Sequence, residues 1–171
     1  MAHIKNLKFL KNHKDLVDEN YGMVAVPTFS DKMDKDLAKL FKSQNKKGKV
    51  GELVFEIDNN SRIVYYGLGS SSEKTPENFR RAAGEVVGYA LKHKYSDIAV
   101  ECPVSNEGDY FCQAFAEGLI LSSYRFLDYF TDERGKYHLK SITMVDACNE
   151  NSAKKGAIIA SAVCDLSLIH I

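Results

Sequence analysis

The chain has 171 residues, 44% of them apolar and 27% charged, so it is long enough for one domain with a sizeable core. Lysine plus arginine number 23, as do aspartate plus glutamate, and this balance argues against a nucleic-acid-binding protein, for which a basic excess is typical. No stretch approaches the roughly 18 apolar residues that span a membrane, and the N-terminus lacks the apolar region and cleavage site of a secretory signal.

The first half of the chain predicts strands and one helix. Apolar or alternating runs, which favour strands, occur at Leu7–Leu10, Met23–Phe29 and Val50–Asp58. Between the last two runs, Leu37, Leu40 and Phe41 recur at helical spacing and indicate an amphipathic helix. A turn at Asn59–Ser61 would join Val50–Asp58 to the following run, "RIVYYGLG", as a β-hairpin.

The second half alternates helices and strands. Thr75 is a plausible N-cap, Pro76 suits the first helical position, and apolar residues follow from Phe79 to Leu91 at helical spacing. The elements predicted next are a strand at Ser96–Ser105, a helix at Glu107–Tyr129, a strand at His138–Asp146 and a last helix capped by Asn151 or Ser152. This alternation implies right-handed crossovers and a largely parallel sheet. With the hairpin added, the predicted fold is α/β: a mixed β-sheet with helices on both faces, in one domain.

The stretch Gly67–Ser72 has the layout of a phosphate-binding loop between a strand and a helix. A dinucleotide fingerprint needs a third glycine, which is Ser72 here, and about five residues separate Gly69 from the helix cap, which makes the loop too long. The G-K-[ST] of a Walker loop is absent. Hydroxyls at a helix N-terminus can still hold an anion, so a structural turn is favoured and a ligand site stays open.

Other candidate residues have plain structural interpretations. Glu101, Glu107 and Asp109 straddle a strand end and a helix start, where ligands often bind in α/β sheets, but acids also favour a first helical turn without any function. His93 ends a helix, where a cation favours the helix dipole. Cys102 is a candidate reactive thiol, although a buried structural cysteine is the more common case.

The cysteines indicate a reduced environment. They form no CxxC pair and have no histidine at zinc-like spacing. We therefore expect reduced, mostly buried thiols, as in a cytoplasmic protein, at Cys102, Cys112, Cys148 and Cys164.

Two stretches resemble a known family. "RIVYYGLGSSSEKTPENFRRAAGEVVGYAL" (Arg62–Leu91) is similar to a strand ending in V-G-L-G, a polar spacer and an R-x-A-G helix. "FCQAFAEGLILSSYRFLDYFTDE" (Phe111–Glu133) is similar to A-E-G-x-x-L-x-x-Y-x-F followed by acidic residues. In this order and spacing, the chain from about Met23 to Asp165 resembles the N-terminal domain of the leucyl aminopeptidases, the M17 or cytosol aminopeptidase family. Tyr66 departs from the pattern, which often has a small apolar residue there.

The resemblance implies a fold similar to the macro domain, followed in the family by a separate catalytic domain. That domain holds two divalent metal ions, zinc or manganese, and removes N-terminal residues from peptides. Its metal ligands and assisting arginine lie in motifs absent here, so the resemblance implies no catalytic, cofactor-binding or metal residue, and we expect this chain alone to be inactive. It also implies a cytoplasmic homohexamer, built chiefly through the catalytic domain, without nucleic acid or membrane as partner.

The end of the chain suggests a truncation before the catalytic domain. The final "LSLIHI" (Leu166–Ile171) resembles the translation of a transposon-end adapter used in sequencing libraries, so we expect a native domain at residues 1–165 and a non-native tail at 166–171; a natural apolar helix end is the alternative.

An alternative function is a stand-alone macro-like module that binds ADP-ribose or another nucleotide. The Gly67–Ser72 loop motivates it. Only Asp31 after the first long strand, and one glycine in "CPVSNEGD", are available for the adenine and diphosphate contacts of such a module.

Overall fold

The computed structural model describes residues 3–11, 21–58, 61–103, 108–125, 136–147 and 149–166. The strands in this part of the chain are β1 (Lys8–Leu10), β2 (Met23–Thr28), β3 (Leu53–Asp58), β4 (Ser61–Gly67), β5 (Asp97–Glu101) and β6 (Ser141–Val145). The helices are α1 (Lys35–Ser43), α2 (Pro76–Lys92), α3 (Asp109–Ser123) and α4 (Glu150–Leu166). Among these described helices, none has the length and apolar character needed to cross a membrane.

The strands form one mixed sheet in the order β1-β6-β5-β2-β4-β3. All neighbouring strands are parallel except β3 and β4, which pair antiparallel from Leu53↔Tyr66 to Asp58↔Ser61. The predicted hairpin is thus confirmed, although residues 59–60 of its turn lie outside the described residues. In the centre of the sheet, Ala25 of β2 pairs with Val64 on one side and Val100 on the other.

The helices cover both faces of the sheet, as predicted. α2, α3 and α4 lie side by side on one face, against a core that includes Met23, Val64 and Ile98. α2 and α3 are expected to share a face because the crossovers from β4 to β5 and from β5 to β6 run in the same direction across the sheet and such crossovers are right-handed in nearly all proteins. α1 lies on the opposite face, where Leu37 lines a groove with Tyr65.

A local signal places the start of α2 where the sequence predicts it. The hydroxyl of Thr75 accepts a hydrogen bond from the backbone N–H of Asn78 at 3.2 Å, with Pro76 as the first residue of α2. The cap of α1 was not predicted: the carboxylate of Asp34 accepts from the N–H groups of Asp36 and Leu37 at 3.1 and 2.8 Å.

Two predicted helix boundaries are wrong. α3 ends at Ser123 rather than near Tyr129, because Tyr124 has extended backbone angles (φ −64°, ψ 133°); both Glu107 and Tyr129 lie outside the described residues. α4 is capped by Asn149, whose side-chain oxygen accepts from the Ser152 N–H at 3.0 Å. The predicted caps, Asn151 and Ser152, lie inside the helix.

Strand boundaries differ less. β3 begins at Leu53 instead of Val50, because Gly48 and Gly51 adopt positive φ angles of 79° and 81° in a loop that precedes it. β5 and β6 lie within their predicted ranges and are shorter, and Ser105 lies outside the described residues.

Candidate functional site at the carboxyl edge of the sheet

The carboxyl ends of the five parallel strands meet at one edge of the sheet. Ligands bind at this edge in open α/β sheets, which makes it the first candidate site. The edge is formed here by the Gly67–Ser72 loop after β4 and by the residues that directly follow β2, β5 and β6.

The inner half of the Gly67–Ser72 loop, residues Gly67–Gly69, is hydrogen-bonded through its backbone to neighbouring segments. The N–H groups of Gly67, Leu68 and Gly69 donate at 2.8, 2.9 and 3.0 Å to carbonyls of neighbouring segments. A Cβ atom on Gly67 would lie 2.3 Å from the carbonyl oxygen of Lys49, so only glycine permits this close approach. Phosphate loops offer such N–H groups to the ligand, whereas these three are already occupied.

The outer half of the loop is held by a carboxylate from the β2–α1 connection. Asp31 accepts from the Ser71 N–H at 2.9 Å and from the Ser71 hydroxyl at 2.6 Å. The Ser71 hydroxyl is the main reason that the pKa of Asp31 lies below its usual value. Ser72 donates its N–H weakly to the Ser70 hydroxyl at 3.4 Å. An internal anion thus occupies donors that a bound phosphate would use, which favours the structural interpretation of the loop.

A groove of about 370 Å³ lies at the ends of β2, β5 and β6. Its lining residues are Lys11, Pro27, Glu101, Cys102, Pro103, Asp146 and Ala147. Asp146, which was not predicted as a site residue, adopts a left-handed φ of 52°. A single aspartate after a strand is too common a feature to signal a site.

The predicted acidic cluster is divided between two places. Glu101 lines the groove, whereas Asp109 does not line it and accepts a hydrogen bond from the Asn149 side chain at 2.6 Å. Glu107 lies outside the described residues. The acids of β5 and α3 therefore do not form one described carboxylate pair.

The backbone of Glu101 has a fixed partner in Tyr66. The Tyr66 hydroxyl, on a fully buried side chain, donates to the Glu101 carbonyl oxygen at 2.5 Å. β2 lies between these two strands, but its pairing with β5 ends at Ala25↔Val100, and Pro27 has no N–H to donate. Tyr66 thus supplies a donor at a place where the central strand has none, and burial raises its pKa well above 10.

The cysteines are reduced and buried where the structure describes them. Cys102, Cys112 and Cys164 form no disulfide and are at most 5% exposed, which confirms the prediction for these three; Cys148 lies outside the described residues. The sulfur atoms of Cys102 and Cys112 lie 4.0 Å apart, and the Cys112 thiol donates to the Asn149 carbonyl at 3.3 Å. Cys102 also lines the groove.

His93 is the C-cap residue of α2, as its position in the sequence predicts. Its N–H donates to the Tyr89 carbonyl, and its exposed ring lies 4.1 Å from the Tyr89 ring, centroid to centroid. Neither contact involves the carboxyl edge of the sheet.

The described residues do not fit a metal centre. Among them, no three His, Cys, Asp or Glu side chains converge on a position where an ion could bind. The two divalent ions that the sequence resemblance implies for a catalytic domain therefore have no ligand set in this part of the chain.

Comparison with known proteins identifies the family. The family model described as "Cytosol aminopeptidase family, N-terminal domain" matches residues 17–133, more than half of the chain. The chain belongs to this family. Probable cytosol aminopeptidases of Mycobacterium tuberculosis and Mycobacterium bovis are each 33% identical to it over 103 residues, which cover 59% of this chain and 19% of the relative. The chain thus spans about a fifth of the length of these relatives.

Solved structures with the same fold include the bottromycin maturation enzyme BotP, with a TM-score of 0.71 over 85% of this chain and 31% of that chain at 18% identity. A mutant of tomato leucine aminopeptidase has a TM-score of 0.73 over 94% of this chain and 36% of that chain at 17% identity. At these identities the likeness shows the fold.

The A-E-G motif of α3 packs this helix against α2. The carboxylate of Glu117 in the A-E-G motif accepts from Arg80 Nε and Nη2 at 2.8 and 2.7 Å, and from the Gln113 side chain at 2.8 Å. A Cβ atom on the next residue, Gly118, would lie 2.6 Å from the Arg80 carbonyl oxygen and 2.9 Å from Ala83 Cβ. The motif therefore encodes a close helix crossing with a largely buried ion pair.

Proposed function

We propose that residues 1–165 are the non-catalytic N-terminal domain of a leucyl aminopeptidase, a metal-dependent exopeptidase that removes N-terminal residues from peptides. The observation that carries this proposal is the use of the A-E-G motif for packing: Glu117 and Gly118 contact α2. Residues 166–171 are proposed as a tail outside the native domain.

The proposed chemistry belongs to a catalytic domain downstream of this one. Metalloaminopeptidases need metal ions that lower the pKa of a bound water and polarise the peptide carbonyl. The described residues offer no such ligand set, so this domain would act by packing on the catalytic domain and shaping access to its site or its assembly. The cytosol aminopeptidase relatives, five times longer than this matched region, support the presence of such a partner domain in the parent enzyme.

The proposed setting is the cytoplasm, in a parent enzyme that forms a homohexamer. The naming of the relatives as cytosol aminopeptidases and the reduced thiols of the described cysteines support a cytoplasmic location. The zero formal net charge supports a protein that binds no nucleic acid.

Peptidase activity tests the proposal directly. Purified chain is incubated with a leucyl-anilide substrate and Mn²⁺ or Zn²⁺, and we expect no release of leucine. As a control, the same chain joined to the catalytic domain of a family member should hydrolyse the substrate under the same conditions. Hydrolysis by the chain alone, co-purifying with it through two different chromatographic steps, would overturn the proposal.

The alternative nucleotide-binding module is tested by calorimetry. Because the N–H groups of the Gly67–Gly69 turn are bonded to the protein and Asp31 binds Ser71, we expect no saturable heat on titration with ADP-ribose. Saturable binding at micromolar concentration would favour the stand-alone module instead.

A further inference from the structure

Two thiols lie next to each other at the carboxyl edge of the sheet, on elements that are adjacent in the chain. Cys102 directly follows β5, and Cys112 lies in the first turn of α3. Their sulfur atoms are 4.0 Å apart. A disulfide bond is about 2.05 Å long, so the two sulfurs need to approach by about 2 Å to form one.

The two thiols differ in their access to solvent. Cys102 is 5% exposed and lines the groove of about 370 Å³, whereas Cys112 is fully buried behind it. Of the two cysteines, Cys102 is the one that lines this groove, so a small oxidant in the groove meets Cys102 before Cys112. An oxidised cysteine forms a disulfide when a second thiol lies within reach of it, and Cys112 lies in that position next to Cys102.

We propose that Cys102 and Cys112 form a reversible disulfide when the protein meets hydrogen peroxide. The sulfur of Cys102 attacks one peroxide oxygen, the O–O bond breaks, and the displaced hydroxide takes the thiol proton to leave as water. Cys102 then carries a sulfenic acid. The sulfur of Cys112 attacks the Cys102 sulfur, the S–O bond breaks, and a second water leaves with the Cys112 proton. Two thiols and one peroxide thus give one disulfide and two waters.

The disulfide changes the contacts of α4. In the reduced state the Cys112 thiol donates to the carbonyl of Asn149, the residue that caps α4. The disulfide removes this donor and ties the end of β5 to the start of α3, so oxidation alters the groove and the start of α4 together. This inference does not depend on the proposed peptidase family role.

Mass spectrometry of the intact chain tests the proposal. The protein is treated with hydrogen peroxide, remaining thiols are alkylated, and the digest is searched for crosslinked peptides. We expect a Cys102–Cys112 crosslink, a mass loss of about 2 Da per chain for the two hydrogens removed, and full recovery of both thiols with dithiothreitol.

Variants separate the two steps. Cys112→Ala should leave the sulfenic acid of Cys102 unresolved, so that dimedone labels it. In the chain without this substitution, Cys112 consumes the sulfenic acid, so little dimedone adduct should form. Cys164→Ala is the matched control: Cys164 is also buried, with a pKa raised by burial, and its removal should leave the Cys102–Cys112 crosslink unchanged. Circular dichroism of each variant before oxidation shows whether it is folded.

Three results would overturn the proposal. The first is a crosslink of Cys102 or Cys112 to Cys148 in place of the proposed pair. The second is oxidation of Cys102 to a sulfinic acid, in the chain without substitutions, while the Cys112 thiol still reacts with the alkylating reagent. The third is survival of all four thiols at peroxide concentrations that oxidise an unfolded control of the same sequence.

Discussion

Two regions of this domain use glycine for the same physical reason and carry opposite signals in the sequence. In the Gly67–Ser72 loop, the missing side chain of Gly67 lets the loop approach the Lys49 carbonyl. In the α2–α3 interface, the missing side chain of Gly118 lets one helix approach the Arg80 carbonyl of the other. The loop has the pattern of a ligand site, yet its donors are bonded internally. The interface has the pattern of two ordinary packed helices, yet it contains the family motif.

The difference shows that a glycine pattern alone does not distinguish a ligand cradle from a packing contact. What distinguishes them is whether the neighbouring N–H groups have partners within the protein. In the loop, the N–H groups of Gly67, Leu68, Gly69 and Ser71 all have such partners. Substitutions in the α2–α3 interface and substitutions at the Gly67–Ser72 loop should therefore have separate effects.

The largest expected effect is that of Gly118→Ala. Its Cβ atom would lie 2.6 Å from a backbone oxygen and 2.8 Å from Arg80 Cα, and backbone atoms in a packed helix pair cannot move aside without separating the helices. We expect a loss of about 3 kcal/mol in the free energy of unfolding, at the upper end for overpacking, measured by urea denaturation.

Gly88→Ala is the matched control for this substitution. Gly88 lies in α2, and a Cβ atom there would meet nothing within 4 Å. Alanine should stabilise the helix by up to about 1 kcal/mol. If both variants shift the urea midpoint in the same direction by similar amounts, the close crossing does not set the stability of the interface.

The next effect is that of Glu117→Gln in the same interface. The carboxylate accepts from Arg80 and Gln113, so an amide in its place sets its NH₂ group against one of these donors. We expect a loss of about 2 kcal/mol, typical of a charge-assisted hydrogen bond. Glu77→Gln is the control, because Glu77 is 67% exposed and lies 3.6 Å from Arg80, a surface pair worth at most about 1 kcal/mol. Equal effects of the two variants would contradict the assignment.

A smaller loss is expected for Tyr66→Phe in the strand that leads to the loop. Phenylalanine keeps the stacking on Phe115 but leaves the Glu101 carbonyl without its donor, which costs about 1.5 kcal/mol for a buried group. Tyr65→Phe is the neighbouring control, since the Tyr65 hydroxyl bonds the Glu56 carboxylate at the surface. A Tyr66→Phe variant as stable as Tyr65→Phe would show that water or another group satisfies the carbonyl.

The order and type of the main elements could be predicted from the sequence because their signals are local. Thr75 and Pro76 mark the start of α2 within two residues, and the alternation in β3 marks one strand of the hairpin. The end of α3 could not be predicted, because Ser123 is held by partners elsewhere in the chain: its hydroxyl accepts from the Ile4 N–H, and its carbonyl accepts from the Tyr137 hydroxyl.

The candidate site was harder to predict than the fold, for the same reason. The sequence shows the glycines and serines of the loop. It does not show that Ser71 donates hydrogen bonds to the carboxylate of Asp31, 40 residues away. The sequence also marks Tyr66 as a departure from the family pattern. It does not show that Pro27, on the intervening strand β2, lacks an N–H at the place where the Tyr66 hydroxyl donates to the Glu101 carbonyl. The absence of a catalytic residue in this chain stays a prediction, and the activity assay tests it.

The smallest effect is expected for Asp31→Ala, which tests whether the two halves of the loop are held independently. The pKa of Asp31 lies below its ordinary value of 3.8, so the carboxylate stabilises the folded loop above that pH and loses this contribution as the pH falls through its folded pKa.

At neutral pH, Asp31→Ala should speed hydrogen exchange at the Ser71 N–H, and NMR measures this rate. Exchange at the Leu68 N–H should stay unchanged, because its acceptor is the Thr28 carbonyl in the backbone. The variant should therefore leave the urea midpoint nearly unaltered. Faster exchange at both amides would mean that one carboxylate holds the whole loop, and the separation between its inner and outer halves would then be wrong.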